Sequence, residues 1–166
     1  LALGAQTLIV ELTIPRMIAP VFGNTLFCWT AIIAVVLVAL TLGYHLGGKW
    51  SNRLSSTRAV TIIAFSSAAW VVGLALLGGK VVDNMTFLDL MFGPLVATLL
   101  LAAVPAFLDA IIVPLVIELR TENRGEAAGK CFAWSTVGSI IGVLATGYLL
   151  LPLLGITGAL LTGAML

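Results

Sequence analysis

The chain has 166 residues, of which 61% are hydrophobic and only 9% charged, and its net charge is +1. Water-soluble domains carry about 25% charge, and a chain this short cannot hide so many apolar residues in one aqueous core. Composition therefore excludes a soluble globular protein, and the lack of a basic patch with interleaved aromatics argues against nucleic acid as a partner.

The charged residues are segregated along the sequence rather than around helix faces. All but Glu11, Arg16 and Asp109 fall in three connections, 49–58, 80–89 and 118–130. The runs between them read as membrane-spanning helices, which need about 20 apolar residues each. The first covers 1–19 and is closed by Pro20 and Gly23. The second is 24–47, the third 59–79, and the fourth, 88–117, contains Pro94, Pro105 and Pro114. The fifth is 131–151 and the sixth 156–166. The runs are long and lack two-residue alternation, so helices are expected rather than barrel strands. The expected fold is an all-α polytopic bundle of about six helices, forming one transmembrane domain over 1–166. The chain starts at Leu1 and stops at Leu166, both inside apolar runs, as expected of a piece of a longer protein.

Lys and Arg collect on the cytoplasmic side of a membrane. Lys49, Arg53 and Arg58 follow the second span, and Arg120, Arg124 and Lys130 follow the fourth. The connection between the third and fourth spans has only Lys80, beside Asp83 and Asp89. Both termini are then cytoplasmic, in a bacterial or archaeal inner or plasma membrane. Trp50 falls at the same inner interface, where an indole is favoured. Cys28 and Cys131 fall near opposite surfaces, about 30 Å apart, too far for a disulfide.

Gly43 and Gly47 form a small-xxx-small pair in the second span. Ser135, Gly138, Gly142 and Ala145 share one face of the fifth. Such faces let helix backbones approach where no hydrophobic drive acts between helices, so they are expected to pack. The prolines of the fourth span are expected to bend it.

The three intramembrane ionisable residues form a candidate polar site. A mid-membrane charge costs at least about 2.5 kcal/mol and usually has a reason. At 1.5 Å per residue, Glu11 lies about 15 Å or somewhat more below the outer loop and Asp109 about 13 Å from the inner end of its span, both near mid-depth. Arg16 is close enough to the outer surface to snorkel. The structural reading is an ion pair or a hydrogen bond to a neighbouring helix, with Asp109 carrying its proton. The functional reading is a proton or cation site. His45, beside Tyr44, is the one histidine. Ligation of a haem or chlorophyll metal through it competes with a plain interfacial role, and no second ligand is visible. No metal site and no resident cofactor are expected.

One ordered set of residues is more specific. Glu11-Leu12 is followed by Arg16, by Ala19-Pro20-Val21-Phe22-Gly23, by Trp29-Thr30, and by Leu42-Gly43-Tyr44-His45-Leu46-Gly47-Gly48-Lys49 through Asn52-Arg53. A second set runs from Pro114-Leu115-Val116-Ile117 through Gly129-Lys130, Ser135-Thr136-Val137-Gly138-Ser139 and Gly142 to Thr146-Gly147 and Leu151-Pro152-Leu153-Leu154-Gly155. Together they resemble the membrane domain of spermidine-synthase-like membrane proteins, in which six or seven helices are joined to a cytoplasmic aminopropyltransferase-type domain. That membrane domain in turn resembles half of a major facilitator transporter, and the turn Gly47 to Arg53 is similar to the facilitator loop between helices two and three. The resemblance implies two inverted three-helix repeats, the first span corresponding to the fourth and the second to the fifth. Asp109 departs from it, standing where a small residue is usual.

This chain shows no strand pattern and no Gly-rich loop opening a helix. The expectation is accordingly no enzyme. It is a non-catalytic membrane anchor or scaffold subunit, with the lipid bilayer and other membrane subunits or a cytoplasmic domain as partners. The competing expectations are a dimeric half-transporter of a small cation such as a polyamine, and a pigment- or haem-binding subunit using His45. The orientation is testable first. With Cys28 and Cys131 replaced, a Ser55→Cys variant in sealed cells is expected to resist an impermeant thiol reagent; ready labelling from outside reverses the topology.

Overall fold

Away from water a chain can satisfy every backbone N–H and C=O within one segment only as a helix, and each apolar run does so. The computed structural model describes residues 1–54, 56–119 and 124–166, apart from the side chains of 52, 54 and 124. Ser55, Arg120 and the Arg124 side chain, used above for topology, lie outside the described residues. The helices are α1 (Ala2–Phe22), α2 (Leu26–Leu54), α3 (Thr57–Asp83), α4 (Gly93–Glu118), α5 (Arg124–Ala145) and α6 (Leu151–Ala164), with one π-helical turn at Thr146–Leu150. Among the described residues there is no strand.

Several boundaries differ from the sequence reading for local reasons. α1 runs through Pro15 and Pro20 and stops at Gly23, whose φ of 74° lies in the left-handed region that favours glycine. α4 begins at Gly93, not at residue 88, because Asp89 holds a turn first. Its Oδ1 accepts the N–H groups of Met91 and Phe92 at 3.1 and 2.7 Å. Pro94 then sits in the first turn of α4, where its missing N–H costs nothing. α3 is capped by the Ser56 hydroxyl, which accepts the Arg58 N–H at 3.2 Å. α2 has 29 residues, about 43 Å at the helical rise. That exceeds the hydrocarbon thickness of a bilayer, about 30 Å.

Five helices are long and apolar enough to cross a membrane, the fifth being the run Gly125–Ala164. That run is not straight. A Cβ at Gly142 would meet Ala5, and one at Gly163 would meet Ile9. These two glycines would stand about 31 Å apart on a straight helix, yet their partners on α1 are one turn apart. The chain turns back at Gly155 (φ 69°), so α5 and α6 form a hairpin. Pro152 has no N–H, and its ring would crowd the Tyr148 carbonyl in a regular helix. The π-helical turn, with the Leu151 N–H on the Thr146 carbonyl, widens the backbone just before it.

The bundle is built around two parallel helix pairs in backbone contact. On α2, a Cβ at Gly43 would stand 2.5 Å from the Ala110 Cβ and 2.6 Å from the Phe107 carbonyl oxygen, and one at Gly47 2.8 Å from that of Ile111. On α5, a Cβ at Gly138 would strike the backbone of Leu1, and one at Gly142 would lie 2.8 Å from the Ala5 backbone. The Ser139 hydroxyl adds a hydrogen bond to the Gly4 carbonyl across this second seam, at 3.2 Å. Replacing α1, α2 and α3 by α4, α5 and α6 converts the α2–α4 pair into α5–α1 and the α3–α4 pair into α6–α1, and all four pairs are in contact. The exchange is partial, because the α1–α3 contact has no α4–α6 counterpart among the described contacts. Around these seams the core is apolar, with Ile14, Ile18, Phe22, Ile32, Val71, Leu101 and Leu160 almost fully enclosed.

The helix alternation gathers Lys49, Arg53, Arg58 and Lys130 at one end of the bundle and Lys80, Asp83 and Asp89 at the other. Glycine contacts make the packing testable. Gly43→Leu is expected to lower stability by about 1–3 kcal/mol through overpacking against α4. Gly48→Leu, whose added Cβ meets nothing within 4 Å, is expected to be nearly neutral. Thermal unfolding of the two purified variants checks the contrast.

Candidate functional site

The largest polar feature inside the bundle joins α1, α3 and α4. Asp109 is 4% exposed. Its Oδ1 accepts the Ser67 hydroxyl at 2.7 Å and its Oδ2 lies 3.0 Å from the Thr7 hydroxyl. Ser67 in turn accepts the Gln6 side-chain amide at 2.9 Å. Gln6 and Ser67 are themselves buried and Thr7 is half-buried, so the four residues form one connected cluster.

Counting protons shows how the cluster closes. Thr7 has one hydroxyl hydrogen and two acceptors within reach, Asp109 Oδ2 and the Leu3 carbonyl at 2.9 Å. A proton on Oδ2 lets Asp109 donate to Thr7, Thr7 to Leu3, Ser67 to Oδ1 and Gln6 to Ser67. Each hydroxyl and the carboxyl then has a partner, and the cluster carries no net charge. An anionic Asp109 instead draws the Thr7 hydrogen away from Leu3. Two hydroxyls on two other helices, Thr7 on α1 and Ser67 on α3, are thus within hydrogen-bond distance of the carboxyl.

The remaining candidates separate. Glu11 and Asp109 line one cleft between α1, α2 and α4, of about 230 Å³ counted to its open mouth. The other walls are Thr7, Val10, Val36, Ala102, Pro105 and Ala106, so the lining is mainly apolar. Pro105 has no N–H, which leaves the Leu101 carbonyl without its helical donor near the same wall. Glu11 is half-buried and takes no hydrogen bond or ion pair among the described residues. Arg16 is exposed on the outside of α1, and no salt bridge joins it to Glu11. Pro15 does not bend α1 enough to bring the two together. His45 lies exposed on α2, and no group of three potential metal ligands exists among the described residues. Gly43, Gly47, Gly138 and Gly142 lie in the two helix seams.

Sequence reasoning missed Gln6, Thr7 and Ser67. Uncharged polar residues are common in apolar helices, and nothing in their spacing points across 61 or 102 residues to a partner.

Comparison with known proteins adds what the geometry does not carry. Over 176 residues, 98% of the chain, it is 29% identical to polyamine aminopropyltransferase 2 of Streptomyces coelicolor. Over 175 residues it is 30% identical to the polyamine aminopropyltransferases of Mycobacterium tuberculosis and Mycobacterium bovis. The chain spans only 30% of the first relative and 32% of the other two. No family model and no solved structure matches it. The expectation of no enzyme is thereby overturned: proteins that match nearly the whole chain are named for an enzymatic activity. That expectation rested on the lack of strand and Gly-rich loop patterns here, which is a weak guide when the relatives are about three times as long.

The cluster predicts an ordered series. Asp109→Asn keeps an acceptor for Ser67 and supplies an N–H for Thr7, so its stability is expected to stay within about 1 kcal/mol of the native protein. Asp109→Leu leaves the Ser67 hydroxyl without its acceptor and Thr7 with Leu3 alone, and is expected to cost about 1–3 kcal/mol. Unfolding in mild detergent, followed by helicity, ranks the variants; equal losses for Asn and Leu contradict the cluster.

Proposed function

We propose that this chain is the membrane-embedded portion of a polyamine aminopropyltransferase-type protein and holds that protein at the bilayer, with both termini cytoplasmic. The observation carrying this reading is a coincidence over one stretch of sequence. The residues that build helices long and apolar enough to cross a membrane are the same ones that match proteins named for aminopropyl transfer. The basic end of the bundle supports the orientation.

Movement of a polyamine or another cation is the second reading, and the cleft between Glu11 and Asp109 is its support. The balance favours anchoring. The cleft is small and mainly apolar, and both oxygens of Asp109 have protein partners. A substrate path would require polar lining along a continuous opening. A pigment or haem role through His45 has less support still, because no companion ligand stands beside it.

The test uses the native protein carrying an affinity tag, recovered from solubilised membranes. Aminopropyl transfer to a polyamine acceptor is expected to sediment with the membranes. It is expected to co-elute with a polypeptide of about three times 17.3 kDa, given the share of the relatives that the chain spans. Tagged protein without transfer activity, or activity confined to a soluble fraction lacking this chain, overturns the reading.

A further inference from the structure

Near its inner end, one face of α2 changes character over a short distance. Val38, Leu42, His45, Lys49 and Arg53 recur at steps of four, three, four and four, which keeps them on a single stripe of the helix. All five are exposed, so no helix of the bundle covers the stripe. Val38 and Leu42 are more than half exposed, at 59% and 51%. They end an apolar surface just where the ionisable residues begin. Trp50 flanks the basic part.

The cations on this stripe are unusually free. Among the described residues neither Lys49 nor Arg53 takes an ion pair or a side-chain hydrogen bond, and neither does Arg58 at the start of α3. Lys130, at the same end, is instead paired with Glu126 on its own helix. The length of α2 leaves room for Lys49 and Arg53 beyond the hydrocarbon layer, at the depth of lipid headgroups. Two cations there without an ion pair among the described residues, above an exposed apolar stripe, match an anionic group joined to an acyl chain.

We propose that the stripe His45–Lys49–Arg53 is a binding site for an anionic phospholipid of the inner leaflet. The lipid phosphate lies between Lys49 and Arg53, and an acyl chain follows Leu42 and Val38. His45, one turn inside Lys49, stands at the depth of the ester linkage, where an imidazole can donate a hydrogen bond. The opposite end of the bundle has Lys80 beside Asp83 and Asp89 and no comparable net positive charge.

The proposal rests on the membrane reading above, and its test separates the two. The purified full chain is offered an equimolar mixture of phosphatidylglycerol and phosphatidylcholine, and the lipid retained is counted by native mass spectrometry. Phosphatidylglycerol is expected to be retained preferentially, the preference falling about fivefold for each of Lys49→Gln and Arg53→Gln. Lys80→Gln is expected to leave it unchanged. Equal retention of both lipids, preference persisting in the double variant, or equal loss in Lys80→Gln overturns the lipid site while the membrane reading stands. Failure of the chain to enter bilayer nanodiscs at all overturns both. All three substitutions are at surface positions, and unchanged helicity confirms that a loss of lipid is not a loss of fold.

Discussion

Backbone contact between α2 and α4 is the constraint on which the rest of the bundle depends. Apolar side chains gain nothing by leaving lipid for one another, so helices associate through close packing and hydrogen bonds. Gly43 and Gly47 bring α2 onto α4 at Phe107, Ala110 and Ile111, and Asp109 lies within that same turn. Fixing α4 there orients the carboxyl toward α1 and α3, away from lipid. The second seam, α5 on α1, fixes the register of Gly4 and Ala5, immediately before Gln6 and Thr7. Both ends of the polar cluster are thus set by glycine contacts within a turn of it.

This arrangement explains how three ionisable side chains are tolerated in so apolar a chain. Asp109 is enclosed and hydrogen-bonded, Arg16 stays outside the bundle near an end of α1, and Glu11 sits at a cleft. They do not neutralise one another. Each has its own solution, and only that of Asp109 ties helices together. A hydrogen-bonded carboxyl adds direction to contacts that packing alone leaves free to slide.

Much of this was legible in the sequence. Segregated charge marked the helices, Gly43, Gly47, Gly138 and Gly142 marked close faces, and Asp109 stood out because an acid in an apolar run is expensive. The break between α5 and α6 was signalled by Pro152 and Gly155. Other features were not legible. That α1 continues past Pro20 follows from neighbouring structure rather than from proline itself. Serine, threonine and glutamine blend into apolar helices, so the partners of Asp109 emerge only when three helices meet. The link to aminopropyltransferases was legible only as a resemblance of ordered motifs, Glu11 to Arg53 and Pro114 to Gly155, because packing signals occupy these helices and nothing in packing reports chemistry.

The order in which the helices are made gives the polar cluster one more consequence. Synthesis proceeds from the N-terminus, so Gln6, Thr7 and Ser67 have left the ribosome before Asp109 is added. The expensive carboxyl is the last member of its cluster to appear, and it emerges on a helix for which α2 already offers a glycine groove. α4 can therefore fold against hydroxyls that are already made, instead of holding its carboxyl without partners. α1 is in the opposite position, because its own groove on α5 is translated only after the four helices before it. Its polar residues, Gln6 and Thr7, are uncharged and cost less to hold unpaired during that wait.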